Sequence, residues 1–148
     1  MSATNVLENG LLSLLFENAN YANVGDATGL RGSSTAGVFY VSLHTASPGE
    51  AGSQTTSETA YTNYLRSGGS VARSTAGWTV ASGVADNDAE ITYATCGASG
   101  ATLTDFGIGS DSTGAGNLFM YGALTASLVV SSGITPAFAI GSLDNTLD

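Results

Sequence analysis

Apolar residues recur along this chain with two different periods. Near the start, Leu7, Leu11 and Leu15 stand at i, i+4 and i+8, and Leu12, Leu14 and Phe16 widen the stripe. That spacing predicts an amphipathic helical segment over residues 1–18, with Thr4 or Ser2 placed to cap its N-terminus. Gly10 lies inside it and costs about 1 kcal/mol relative to Ala, so the helix needs a surface to lean on. Helices of this kind gain most of their stability from tertiary packing. Leu7, Leu11, Leu12, Leu15 and Phe16 are therefore the candidate protein-interface residues, facing either the chain's own sheet or a neighbouring subunit.

From Ala19 to Gly37 the composition turns to Asn, Gly, Ser and Thr, a long connection. The period then changes to two. In the run Val38 to Thr45, Phe39, Val41 and Leu43 fall on one face and Tyr40, Ser42 and His44 on the other, the pattern of a half-buried strand. Pro48-Gly49 marks a turn. Further strand-like runs cover Val71 to Ser74, Trp78 to Ala81, Ala89 to Ala94, Ala101 to Ile108, Leu118 to Leu124, Ser127 to Val130 and Ala137 to Ile140. About eight short strands between frequent turns predict an all-β fold, a β-sandwich, jelly-roll-like domain or small barrel, with one short N-terminal helix. No βαβ alternation points to a doubly wound sheet. Residues 1–148 read as a single domain, with no internal repeat.

Composition decides what such a domain can do. Only 10% of residues are charged, against about 25% in ordinary globular proteins. Gly, Ala, Ser and Thr together supply more than half of the chain. Hydroxyls, small side chains and bare backbone must then coat the surface, which makes it cheap to desolvate against another protein. The net charge is −9, with no lysine and three arginines, Arg31, Arg66 and Arg73. Phosphate backbones need several cationic contacts and so do anionic membranes, so neither nucleic acid nor membrane is an expected partner. No signal peptide is evident, and no apolar run approaches a membrane span. Cys96 has no second cysteine to pair with and reads as a small buried thiol in a strand.

Candidate chemistry is thin. His44 is the one near-neutral acid–base side chain, and no Gly-x-Ser-x-Gly elbow accompanies it, so it reads as a polar residue on a strand. Gly107-Ile108-Gly109 and Gly114-Ala115-Gly116 begin like dinucleotide loops but lack the third glycine, because positions 112 and 119 are Ser112 and Phe119. They read as turn residues. Asp86-Asn87-Asp88 with Glu90 offers oxygen ligands of the kind calcium takes, yet without EF-hand spacing, and a turn before Ile91 explains it. Trp78 reads as a core anchor with its N–H bonded nearby, or else as a sugar-stacking platform. No cofactor, no metal and no enzymatic activity are expected.

Several segments carry a resemblance. Leu43-His44-Thr45-Ala46-Ser47-Pro48-Gly49-Glu50-Ala51-Gly52, Arg73-Ser74-Thr75-Ala76-Gly77-Trp78-Thr79-Val80, Phe106-Gly107-Ile108-Gly109 and Tyr121-Gly122-Ala123-Leu124, in that order, are similar to those of small tailed-bacteriophage virion proteins. Members are often labelled tail-fibre-like, and some resemble the capsid cement or decoration proteins of short-tailed phages. The resemblance runs from about Val38 to Ile140. It implies a structural role on a β-sandwich or jelly-roll-like fold, often paired into dimers. The expected function is a cement protein, made in the host cytoplasm, that binds the outer capsid surface and bridges major capsid protein subunits. The alternative is a tail-fibre or adhesin module binding a host glycan, with Trp78 and the tyrosines as stacking platforms. For residues 1–18, the leucine stripe and the polar connection behind it predict that truncation weakens particle attachment more than stability.

Overall fold

A computed structural model describes residues 3–25 and 28–147 of the chain. In order, the elements are α1 (Asn5–Phe16), β1 (Val38–His44), a 3-10 turn (Arg66–Gly69), β2 (Ser70–Ala72), β3 (Trp78–Ala81), β4 (Val84–Asn87), β5 (Ile91–Thr92), β6 (Ala101–Gly109), β7 (Leu118–Val130), β8 (Ala137–Phe138) and β9 (Asn145–Thr146). The fold is all-β with one short N-terminal helix. The strands form a four-stranded sheet in the order β2-β1-β6-β7, a three-stranded sheet β3-β4-β9 and the pair β5-β8. The described residues fall into two compact units.

The first unit takes residues 1–38, 72–90 and 138–148. Its core is built from the helix and the β3-β4 hairpin. Leu12, Phe16 and Trp78 expose nothing, and the Phe16 ring meets Trp78 edge-on at 4.6 Å and 66°, the arrangement that aromatic quadrupoles favour. Thr4 stands at the N-cap position, but its hydroxyl makes no capping bond; the other proposed cap, Ser2, lies outside the described residues. At the far end Arg73 closes the helix, donating from Nε to the Leu15 carbonyl at 2.7 Å and from Nη2 to that of Leu14 at 3.1 Å. These are two of the carbonyls that a helix end leaves without intrahelical partners. The hairpin turns on Ser82 and Gly83, at φ of 54° and 81°, the double positive φ of a two-residue type I′ turn. Asn87 stitches the unit together from the inside. Its side chain donates to the carbonyls of Ala89 and Ala139 and accepts from the amides of Ser142 and Leu143.

The second unit takes residues 39–71 and 91–137. Strand β6 lies at the centre of its sheet, antiparallel to β1 and β7, with Val41 opposite Ile108 and Ile108 opposite Met120. Phe39, Val41, Leu43, Leu103 and Ile108 supply the apolar core, with Tyr61, Val71 and Tyr93. The expected half-buried alternation of β1 is not what forms. From Val41 to His44 every residue is buried, because Ser42 and His44 on the second face are covered as well as Val41 and Leu43 on the first.

Elsewhere the expected runs shift. The hairpin strand β3 falls where the alternation placed it, but β4 and β9 did not stand out as strands, and the run 89–94 shrinks to the two residues of β5. The two runs at 118–124 and 127–130 are one strand, β7, interrupted by two bulges, one of them at Phe119, since Ile108 faces Met120 while Gly109 faces Leu118. Leu103 faces Leu128 while Asp105 faces Ala123, so residues 124–127 of β7 loop out opposite Thr104.

Candidate functional site

The leucine stripe splits into an inner and an outer half. Leu12 and Phe16 are fully buried in the core of the first unit and have no surface to offer a partner. Leu7 is 42% exposed. Leu11 and Leu15 are half-buried and, with Leu14, Leu147, Arg31 and Arg73, line a cavity of about 390 Å³. Of the five candidate interface residues, Leu7, Leu11 and Leu15 remain available.

His44 sits in a closed polar cluster of the second unit. The Thr56 carbonyl can only accept, so Nδ1 of His44 carries the proton and donates to it at 2.8 Å, leaving Nε2 to accept from the Ser42 hydroxyl at 2.7 Å. Burial pulls the imidazole below its ordinary pKa, outweighing the upward pull of the Thr56 carbonyl and of Glu58. A hydroxyl bonded to a neutral imidazole has the connectivity of an activated nucleophile. Here both side chains expose nothing, so the pair does not meet a substrate in this structure.

Beside it, Arg66 and Glu58 form a bidentate pair at 2.8 and 2.6 Å. The remaining guanidinium donors reach the carbonyls of Asp111 and Gly114. Glu58 also accepts from the Tyr64 hydroxyl at 2.8 Å. Hydrogen bonding to Glu58 raises the Arg66 pKa, and burial raises that of Tyr64. Glu58, Tyr61, Tyr64, Leu65 and Thr113 border an open hollow of about 320 Å³. Nothing in the spacing of Glu58, Tyr64 and Arg66 marked them out beforehand; three loop positions meet only through the fold.

Other singled-out residues are structural. Trp78 is a core residue, but its indole N–H finds no hydrogen-bond partner among the described residues, contrary to expectation. Its burial removes it as a stacking platform. Cys96 is buried as expected, though in a loop rather than a strand, with its thiol against the Ser99 carbonyl at 3.4 Å. Gly107 and Gly109 are not turn residues: both lie within β6. A Cβ on Gly109 would stand 2.4 Å from the Asn117 carbonyl oxygen and 2.3 Å from Gln54, so these glycines admit close neighbours. Gly114 and Gly116 do sit in a turn, at φ of 73° and 55°. In the acidic segment Asp86 and Asn87 belong to β4, and Asp88 accepts from the Thr79 hydroxyl. Burial, then the neighbouring carboxylates of Asp144 and Asp88, push the Asp86 carboxyl up. Among the described residues no group of three or more His, Cys, Asp or Glu is arranged to hold a metal ion.

What the second unit does present to solvent is β7. It is the longest strand, it lies at the edge of its sheet, and apart from Val130 none of its residues is buried. Phe119 is 46% exposed, Tyr121 40% and Val129 65%, with Leu128 alongside. The sequence marked the strand but not its place at an edge, because the alternation of β7 looks the same whether one flank or both are paired.

A family model described as podophage GP4 fiber I protein gp80 matches residues 2–146. No curated protein matches the chain. With nearly its whole length covered, the chain belongs to this family of short-tailed phage fibre proteins.

Proposed function

We propose that this virion structural protein is a subunit of the tail-fibre apparatus, working by protein–protein contact and without catalysis. The family description supports fibre over capsid cement. The observation that carries contact over chemistry is the inversion of polar and apolar groups in the second unit. Its hydrogen-bonded His44, Ser42 and Arg66 side chains are buried, while Phe119, Tyr121, Leu128 and Val129 face outward. Exposed apolar strips rimmed by small polar residues mark interaction sites. Of the three arginines, Arg66 and Arg73 spend their donors on carboxylate and carbonyl oxygens inside the fold. This supports protein partners over phosphate backbones.

The cement reading uses the same low-charge surface, now laid across major capsid protein subunits, and the number of copies separates the two. Quantitative mass spectrometry of purified virions, with the major capsid protein as the internal standard, should find a number set by the tail's symmetry. A copy number comparable to that of the shell protein would replace fibre with cement. A host-glycan role for the fibre draws support from the hollow beside Tyr61 and Tyr64. It predicts glycan-array binding that Tyr64→Ala abolishes while far-UV circular dichroism stays unchanged.

A further inference from the structure

We infer that the hollow at the C-terminal end of α1 takes the last residue of a partner polypeptide, its apolar side chain among the leucines and its carboxylate on Arg31, an inference that rests on the chain's working by protein contact. Leu11, Leu14, Leu15 and Leu147 line the hollow, so an entering side chain exchanges water for aliphatic surface. Two of the chain's three arginines, Arg31 and Arg73, line it as well, a concentration of cations in a chain of charge −9. The two do different things. Arg73 is held by the carbonyls of Leu14, Leu15 and Ala36 and offsets the negative end of the helix dipole there. Arg31 is exposed and, among the described residues, makes no ion pair and no side-chain hydrogen bond. Its guanidinium is left for a ligand.

The loop that carries Arg31 is fixed on both sides. Before it, Leu30 exchanges both backbone hydrogen bonds with Tyr21, at 2.8 and 2.9 Å. After it, the Gly32 amide donates to the Asn20 side chain at 3.0 Å. The Ser33 amide donates to the Asn18 side chain at 2.6 Å, and that side chain donates back to the Ser33 carbonyl at 2.8 Å. A Cβ on Gly32 would stand 2.1 Å from the Asn18 carbonyl oxygen, so glycine is what lets the loop lie this close to the helix exit. A cation on a fixed loop loses little backbone freedom on binding, and a guanidinium meets a carboxylate as a two-donor fork. The complementary ligand is a carboxylate beside an apolar group. In the last residue of a polypeptide both branch from one Cα, whereas an internal acidic residue must borrow the apolar group from a neighbour. Small-molecule sites enclose about 70–90% of their ligand. This hollow, of about 390 Å³, is open to solvent, which favours the end of a longer chain over a free amphiphile.

Amide chemical shifts of the isotope-labelled full chain, titrated with an acetylated tetrapeptide ending in leucine, test it. The peptide is supplied as the free acid and as the C-terminal amide. Shifts should centre on residues 11–15, 30–33 and 147, with the acid bound about fivefold more tightly than the amide, the margin of one exposed ion pair. Arg31→Gln should erase that margin and leave far-UV circular dichroism unchanged, since the Arg31 side chain holds nothing in the fold; Arg31→Lys should keep part of it. A peptide ending in serine should not bind. Equal binding of acid and amide overturns the inference, as do a margin that survives Arg31→Gln, shifts centred elsewhere, or no shift at millimolar peptide. Decanoate bound tenfold more tightly than the peptide overturns it too, by making the occupant a lipid acid. Peptide binding is read on the purified chain and copy number on the virion, so the hollow and the fibre assignment can fail independently.

Discussion

Burial of His44 ties the protein's stability to pH. The imidazole is held neutral, its pKa lowered by desolvation. On acidification the unfolded chain takes up the proton first, so stability present above the ordinary value of 6.5 is lost as pH falls through the folded-state value. Urea titrations from pH 8 to pH 5 should show the midpoint dropping below about 6.5, and His44→Gln should flatten that slope. Asp86 has the opposite sign. Its carboxyl is raised by burial and by Asp144 and Asp88, so it favours the fold only while protonated and weakens it at neutral pH. Asp86→Asn should raise the neutral-pH melting temperature by up to about 3 °C, a gain that shrinks as pH falls. Arg66 is the costliest of these side chains to remove. With Glu58 left unpaired beneath it, Arg66→Ala should cost about 3–5 kcal/mol in chemical denaturation, whereas Arg66→Ala combined with Glu58→Gln should recover part of the loss.

Elements that the alternation and the 3.6 period describe well are those with one covered side. The helix and β3 come out where the pattern puts them, because each presents a single apolar stripe to a core. Strand β1 departs because its second face is buried by hydroxyl, imidazole and loop backbone, which no apolar periodicity records. β4 and β9 escape notice because their inward residues include Asn87 and Asn145, satisfied by hydrogen bonds to distant backbone. The glycines of β6 look like turn residues until the neighbours they admit are seen. Gly109→Ala, driven into the Asn117 carbonyl, should destabilise by about 1–3 kcal/mol, read as a lowered denaturation midpoint. At the N-terminus, Leu12 and Phe16 reverse an expectation. Since both are core residues packed in the first unit, deleting residues 1–18 should lower the melting temperature outright, as differential scanning calorimetry would show, before any effect on attachment is measured.

At the scale of the molecule, one long stretch of the chain carries no charge. All twelve carboxylates and all three arginines lie outside the stretch from Ser112 to Leu143, which carries the longest strand. Salt should therefore act on this protein in the direction opposite to that of a phosphate binder. Screening the −9 charge weakens repulsion between copies, so raising ionic strength should lower the osmotic second virial coefficient measured by static light scattering.

The route of the chain through its two units sets the order in which they can close during synthesis. The first unit is assembled from three stretches, the last beginning at residue 138, while everything the second needs has been translated by residue 137. A ribosome therefore releases all of the second unit while α1 and the β3-β4 hairpin still await β9. Domains ordinarily mature from the N-terminus onward; here the helix made first is among the last parts to find its complete surroundings.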